Sequence, residues 1–120
     1  MGRNVTSVSV TFNRFPEIAA ALPEKTKVVV AKVARDIEAD AKNVVPVDTG
    51  NLKNSIDVEF ENDGLTAIVA PHTEYAAFVE FGTRRMSAQP YMIPAAERNR
   101  PAFIAAMKQM LKEVTEREGR

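Results

Sequence analysis

From Glu24 to Val45 the apolar residues Val30, Val33, Ile37, Ala41 and Val44 fall at spacings of three and four. Such a stripe lies along one face of a helix and needs a partner to cover it. Lys32, Arg35, Glu38 and Lys42 fall largely off the stripe. Glu38 and Lys42 form an i,i+4 pair in the favourable order, contributing about 0.3 kcal/mol. Pro46 closes the helix, because a proline pushes the residue before it out of the helical region. Phe103, Met107, Leu111 and Val114 form a second stripe. It predicts another long helix, opened by Pro94 with Ala95 and Ala96 and interrupted or restarted by Pro101.

Between and before these helices the pattern changes. Val8, Val10 and Phe12 alternate with Ser7, Ser9 and Thr11, the signature of a half-buried strand over 5–12. Pro16 starts a helical turn with Ile18 and Leu22, and Pro23 ends or restarts it. Asp48 is placed to cap a short helix, its carboxylate accepting from the N–H groups of Gly50 or Asn51. Leu52 and Ile56, four residues apart, anchor that turn to the core. Val58 and Phe60 alternate with Asp57, Glu59 and Glu61, and Leu65 to Ala70 is a more apolar strand. Asn62-Asp63-Gly64 between them supplies residues that tolerate positive φ, so the pair reads as a hairpin. Glu74 to Phe81 reads as a short helix with Tyr75, Phe78 and Val79 on one face and Gly82 as its left-handed cap. Thr83 to Pro90 is a polar, mobile loop carrying Arg84-Arg85-Met86, and Tyr91-Met92-Ile93 is an extended apolar segment between prolines. The order β-α-(α)-β-β-(α)-α predicts one α+β domain over residues 1–120. A small, mainly antiparallel sheet packs with two longer helices, and 1–4 and 116–120 fray.

Composition narrows the function classes. Lysine plus arginine and aspartate plus glutamate are both 16, a formal net charge of zero. A protein that grips phosphate backbones carries a basic excess, so bulk charge argues against nucleic acid as the main partner. There is no cysteine and one histidine, His72, which removes cysteine chemistry and any histidine-rich metal site within one subunit. The first residues lack the apolar run of a secretory signal, and no stretch reaches the roughly 20 apolar residues of a membrane span. These features predict a soluble protein.

The candidate reactive groups have simpler readings. His72, with Glu74 or Asp48 as a helper, reads as a surface turn residue rather than a base. Ser55 and Ser87 have no nearby motif to activate them. Asp57, Glu59, Glu61 and Asp63 line one side of the hairpin, without the spacing of a calcium loop, and read as a solvated face. An acidic edge facing a basic partner is the other reading. Asp48-Thr49-Gly50 shares its letters with retroviral-type aspartic proteases, but it follows a helix and a proline rather than an apolar strand, so capping explains it better. Arg84-Arg85 could touch DNA phosphates or an acidic neighbour. No catalytic residue, cofactor or metal site is expected.

Pro46 to Ile56, the hairpin, Tyr75 to Thr83 and Gln89 to Ala95, taken in this order between two helices, resemble the gene-product-ten-like tail-component family of tailed bacteriophages. The resemblance is clearest from Val28 to Val114 and covers nearly the whole chain. It implies a structural virion protein of a phage or prophage, in the neck, head–tail junction or tail-completion ring, without enzymatic activity. The implied partners are other copies of the chain, the head–tail connector and tail-tube or tail-terminator proteins, with DNA passing through the lumen and no membrane. The implied locations are the virion and, during assembly, the bacterial cytoplasm. The alternative is a phage DNA-binding or packaging accessory protein. Expected interface residues are Arg84, Arg85, Met86, Tyr91 and Met92, with Asn62 and Asp63 at the hairpin tip. Asp48, Gly50, Leu52, Ile56, Tyr75, Phe78 and Gly82 form the structural motif.

Overall fold

The computed structural model describes residues 15–45 and 50–118. The strand expected at 5–12 and the Asp48 cap lie outside the described residues. Helix α1 (Phe15–Ala21) is followed directly by α2 (Pro23–Val44). Leu22 separates them with φ −131° and ψ 62°, as a residue before proline does, and Pro23 opens α2 where its missing N–H costs nothing. The buried Thr26 hydroxyl donates to the Leu22 carbonyl at 2.7 Å, so the junction keeps its acceptor satisfied. At the other end Val45 has φ −59° and ψ 142°, the extended conformation that Pro46 demands.

The buried face of α2 runs through Thr26, Val30, Ala34, Ala41 and on to Val45. It is rotated from the expected stripe: Val33 is half-buried and Val44 is 48% exposed. Ala34 and Ala41 share a cluster with Ala95 of α5 (Met92–Glu118). Small residues let two helix backbones approach, so the contact selects alanine over the more hydrophobic valines. The Glu38–Lys42 pair forms at 3.2 Å.

Helix α3 (Gly50–Ser55) buries Leu52, and Ile56 follows it into the core. Strands β1 (Asp57–Glu61) and β2 (Thr66–Ala70) pair antiparallel, with Val58 opposite Val69 and Glu61 opposite Thr66. Val58, Ala67 and Val69 pack towards the core, while Asp57, Glu59 and Glu61 are exposed on the other face, as the alternation predicts; Phe60, on the same face as Val58, stays 41% exposed near the tip. Asn62, Asp63 and Gly64 all have positive φ and form the turn. The tip is tied back to α2: Lys27 contacts Asp63 at 3.1 Å and Glu24 at 3.3 Å. The hydrogen bond to Asp63, and then that to Glu24, holds the Lys27 ammonium above its ordinary pKa. Arg35 lies 5.6 Å from the Phe60 ring centroid, a cation–π contact of about 0.5–1 kcal/mol.

Helix α4 (Ala76–Phe81) leads through an irregular segment to α5. Helix α5 begins at Met92, ahead of Pro94, so Tyr91 to Ile93 is not an extended strand-like piece. It also continues unbroken through Pro101, contrary to the expected interruption. Pro101 and Glu97, whose carbonyl the proline leaves without a helical partner, are both exposed, so water can solvate that carbonyl. Apolar burial on either side holds the helix together. Ala95 and Ala96 anchor one half, and Met107, Met110 and Val114 anchor the other. Two clusters result. One gathers the C-terminal part of α2, α3, the hairpin, α4 and the start of α5. The other joins Ile18 and Leu22 to Met107, Met110 and Val114, with the Phe15 and Phe103 rings tilted against each other, centroids 6.4 Å apart, beside it.

Candidate assembly surface

Helix α4 turns Ala76 and Val79 into the core, and Glu80 goes in beside them at 3% exposure. A buried carboxylate must be paired or hydrogen-bonded. Here Oε1 accepts from the backbone N–H of Tyr91 at 3.0 Å and of Met92 at 2.8 Å, and Oε2 accepts from Ile93 at 3.1 Å. These are the donors that the first turn of α5 leaves without helical partners. The next residue, Pro94, has no N–H to satisfy. Glu80 therefore caps α5 from a different helix, with its negative charge at the positive end of the α5 dipole.

Tyr91 completes the joint. It is fully buried, and its hydroxyl donates to the Ala76 carbonyl at 3.0 Å. Burial, and then the charge of Glu80 and the neighbouring Tyr75, push this hydroxyl above the ordinary tyrosine range. The folded chain thus keeps the Tyr91 proton to higher pH than the unfolded chain does. Its contribution to stability is complete below about pH 10 and is lost as pH rises beyond it. In urea titrations Tyr91→Phe is expected to lose about 1 kcal/mol at neutral pH, for the missing bond to Ala76. It is also expected to show a shallower alkaline decline than the wild type. Parallel pH profiles for the two proteins would exclude Tyr91 as the titrating group.

Between the two helices the backbone reverses at Gly82, with φ 78° and ψ 174°. The positive φ was expected, but ψ differs from the left-handed helical cap and lies in a region open essentially to glycine alone. The Gly82 N–H still caps α4 by donating to the Phe78 carbonyl at 2.7 Å. The segment beyond it is ordered by its own bonds. Thr83 N–H donates to the Met86 carbonyl at 2.8 Å, and the Thr83 hydroxyl accepts from the N–H groups of Arg85 and Met86. Gln89 N–H returns to the Val79 carbonyl at 2.8 Å. Arg84 and Arg85 thus project from a hydrogen-bonded turn, where the sequence had suggested a mobile loop.

Large apolar side chains surround this turn. Phe78 is 55% exposed and Phe81 49%, three residues apart on the outer side of α4. Met86 and Ile93 are also exposed. Phe78 was expected on the buried face with Tyr75 and Val79. The helix instead buries Glu80, and the face that receives it excludes Phe78. Two expected interface residues are also corrected: Tyr91 and Met92 are core residues, at 0% and 2% exposure. Asn62 and Asp63 are exposed at the tip, where Asp63 is engaged with Lys27. Glu80 itself escaped the sequence reading. A glutamate in phase with Ala76 and Val79, ahead of a Pro94-containing first turn, was the available signal.

The remaining polar groups near the hairpin base are committed to structure. His72 Nε2 meets Asp57 Oδ1 at 2.8 Å on the surface, rather than Glu74. Ser55 Oγ donates to the Leu52 carbonyl at 2.7 Å and accepts from the His72 backbone N–H at 3.0 Å. Serine, histidine and aspartate are neighbours here, yet the hydroxyl contacts the amide and not the imidazole, so nothing activates it. Among the described residues no group of three His, Cys, Asp or Glu side chains is placed to hold a metal ion, and no helix is long and apolar enough to cross a membrane.

The chain is thus a small α+β domain that presents an aromatic and basic projection on its surface. The chain belongs to the bacteriophage HK97-gp10 tail-component family, which matches residues 12–82, more than half of its length. No curated protein and no solved structure matches it. The family match ends at Gly82, so the Gln89 to Ala95 run stands outside it. The Glu80 bonds join that outlying part to the matched one.

Proposed function

We propose that the chain is a subunit of the neck or tail-completion ring of a tailed phage or prophage. Copies of it would sit between the head–tail connector and the tail tube or tail terminator. Family membership supports a tail component. The observation that carries the finer reading is the projection around Gly82, where Phe78, Phe81, Met86 and Ile93 are exposed beside Arg84 and Arg85. Exposed apolar groups of this size on a small domain mark a surface that another macromolecule covers. Zero net charge suits a ring through which DNA slides, because a strongly basic lumen would retain it.

Genetic complementation tests the proposal. Particles made without this protein should accumulate filled heads and finished tails that do not join, counted by electron microscopy. Absence of tails altogether would place the protein elsewhere in tail assembly. Arg84→Ala with Arg85→Ala should leave the unfolding midpoint unchanged, because both side chains are exposed, and should lower the yield of joined particles about tenfold. An unaltered yield would remove the two arginines from the assembly surface.

A further inference from the structure

The charges of this domain are balanced in number, yet some of each sign are left without an ion pair among the described residues. Arg84 and Arg85 are exposed and have no ion pair among the described residues, whereas Lys25, Lys27, Lys32, Arg35 and Lys42 all have one. Glu59 and Glu61 on the outer face of β1 are likewise exposed and unpaired among the described residues. The other two acids of that row are engaged, Asp57 with His72 and Asp63 with Lys27. The outer face also carries Ile68, directly across from Glu59 and half-buried.

We infer that the Gly82 projection of one copy docks on the outer face of the β1–β2 hairpin of the next copy, setting Arg84 and Arg85 against Glu59 and Glu61 and Phe81 towards Ile68. The inference rests on the ring reading above and specifies its contact. A second copy fits this surface on charge complementarity, since one sequence supplies both an adjacent pair of unpaired cations beside exposed aromatics and a pair of unpaired anions on one strand face; the other unpaired cations among the described residues, Lys53, Arg98, Arg100, Lys108 and Lys112, are not part of that projection. Within a ring the pairing is head-to-tail, because a reciprocal two-fold contact would stop at a dimer. A two-fold contact of projection on projection would set four arginines together, and like charges at an interface are strongly unfavourable. A head-to-tail contact leaves one surface of each kind free on every pair, so it propagates until rotation closes it into a ring.

Charge reversal of the full chain, followed by sedimentation velocity up to about 1 mM protein at low salt, tests the inference. The two variants are Arg84→Glu with Arg85→Glu, and Glu59→Lys with Glu61→Lys. All four positions are exposed, and circular dichroism confirms folding before association is measured. The wild type should self-associate, and each variant alone should do so about tenfold more weakly or less. An equimolar mixture of the two should regain wild-type association, because each projection again meets an opposite charge. Variants that associate like the wild type, or a mixture that fails to recover, would overturn the assigned faces. A wild type that stays monomeric at the highest concentration would overturn self-docking. The ring reading has its own test in the number of copies per purified particle. More than one copy with no effect of charge reversal would leave the ring standing and the contact wrong.

Discussion

Replacing Glu80 with alanine is expected to remove about 3 kcal/mol or more of folding stability and to lower the thermal midpoint by about 10 °C. The carboxylate accepts three backbone hydrogen bonds where only 3% of the residue meets solvent. Each N–H left unpaired in such a place costs about 1–3 kcal/mol, less whatever an entering water recovers. Glu80→Gln is the more informative variant. Its carbonyl can still serve Tyr91 and Met92, but its amide group turns a donor towards the N–H of Ile93. The loss of charge also removes the interaction with the α5 dipole, so about 1–2 kcal/mol should go. Glu59→Gln on the exposed strand face is the control and should stay within about 0.5 kcal/mol of wild type. Denaturant unfolding gives the order, and hydrogen exchange should show protection lost first at Tyr91, Met92 and Ile93. A Glu80→Ala protein as stable as Glu59→Gln would mean that α5 does not depend on this cap.

Gly82→Val is expected to cost a similar amount, about 3–5 kcal/mol, by a different route. A Cβ built on Gly82 would sit 2.7 Å from the Ala88 nitrogen and 2.8 Å from the Met86 carbonyl oxygen. Both are backbone atoms of the hydrogen-bonded turn, so relief requires the turn itself to move. The dihedral strain of a side chain at φ 78° and ψ 174° adds to the clash. Because the Cβ is the offending atom, Gly82→Ala should already show most of the loss. Gly64 makes the comparison decisive. It too has positive φ, but a Cβ there would meet only the flexible Lys27 side chain, at 3.5 Å. Gly64→Ala should therefore cost about 1 kcal/mol, from backbone strain alone. An unchanged midpoint for Gly82→Val, or equal losses at the two glycines, would show that the turn after α4 yields without penalty.

Local rules carried much of the fold. The hairpin and its three-residue positive-φ turn follow from period-two alternation and from Asn62-Asp63-Gly64. The break at Leu22 and the end of α2 at Val44 follow from the residues before Pro23 and Pro46. Leu52 and Ile56 lie in the core as their spacing required. The same rules failed where a partner element decided the outcome. Val44 belongs to the strongest hydrophobic stripe, yet it is half exposed because α5 approaches over Ala34 and Ala41 instead. Pro101 is a helix breaker by local rules, yet α5 passes through it because both flanking segments are held by burial.

The assembly surface divides in the same way. Arg84, Arg85 and Met86 were legible as exposed residues because a polar segment between two helical patterns runs over the surface. Tyr91 and Met92 were not legible as core, because nothing in their own neighbourhood indicates that a glutamate eleven or twelve residues earlier binds their backbone.

By itself the sequence determined the two long helices, the short helices between them, the hairpin with its Asn62-Asp63-Gly64 turn, and the family of phage tail components, because these depend on periodicity, turn chemistry and the order of motifs along the chain. Only the tertiary structure decided which face of α2 is buried, that Glu80 caps α5, and that the segment carrying Arg84 and Arg85 is closed by the Gln89 N–H on the Val79 carbonyl. Each of those outcomes depends on groups distant in sequence satisfying one another's hydrogen bonds or volume, and no local pattern encodes which partner a buried carboxylate or a small alanine face will meet.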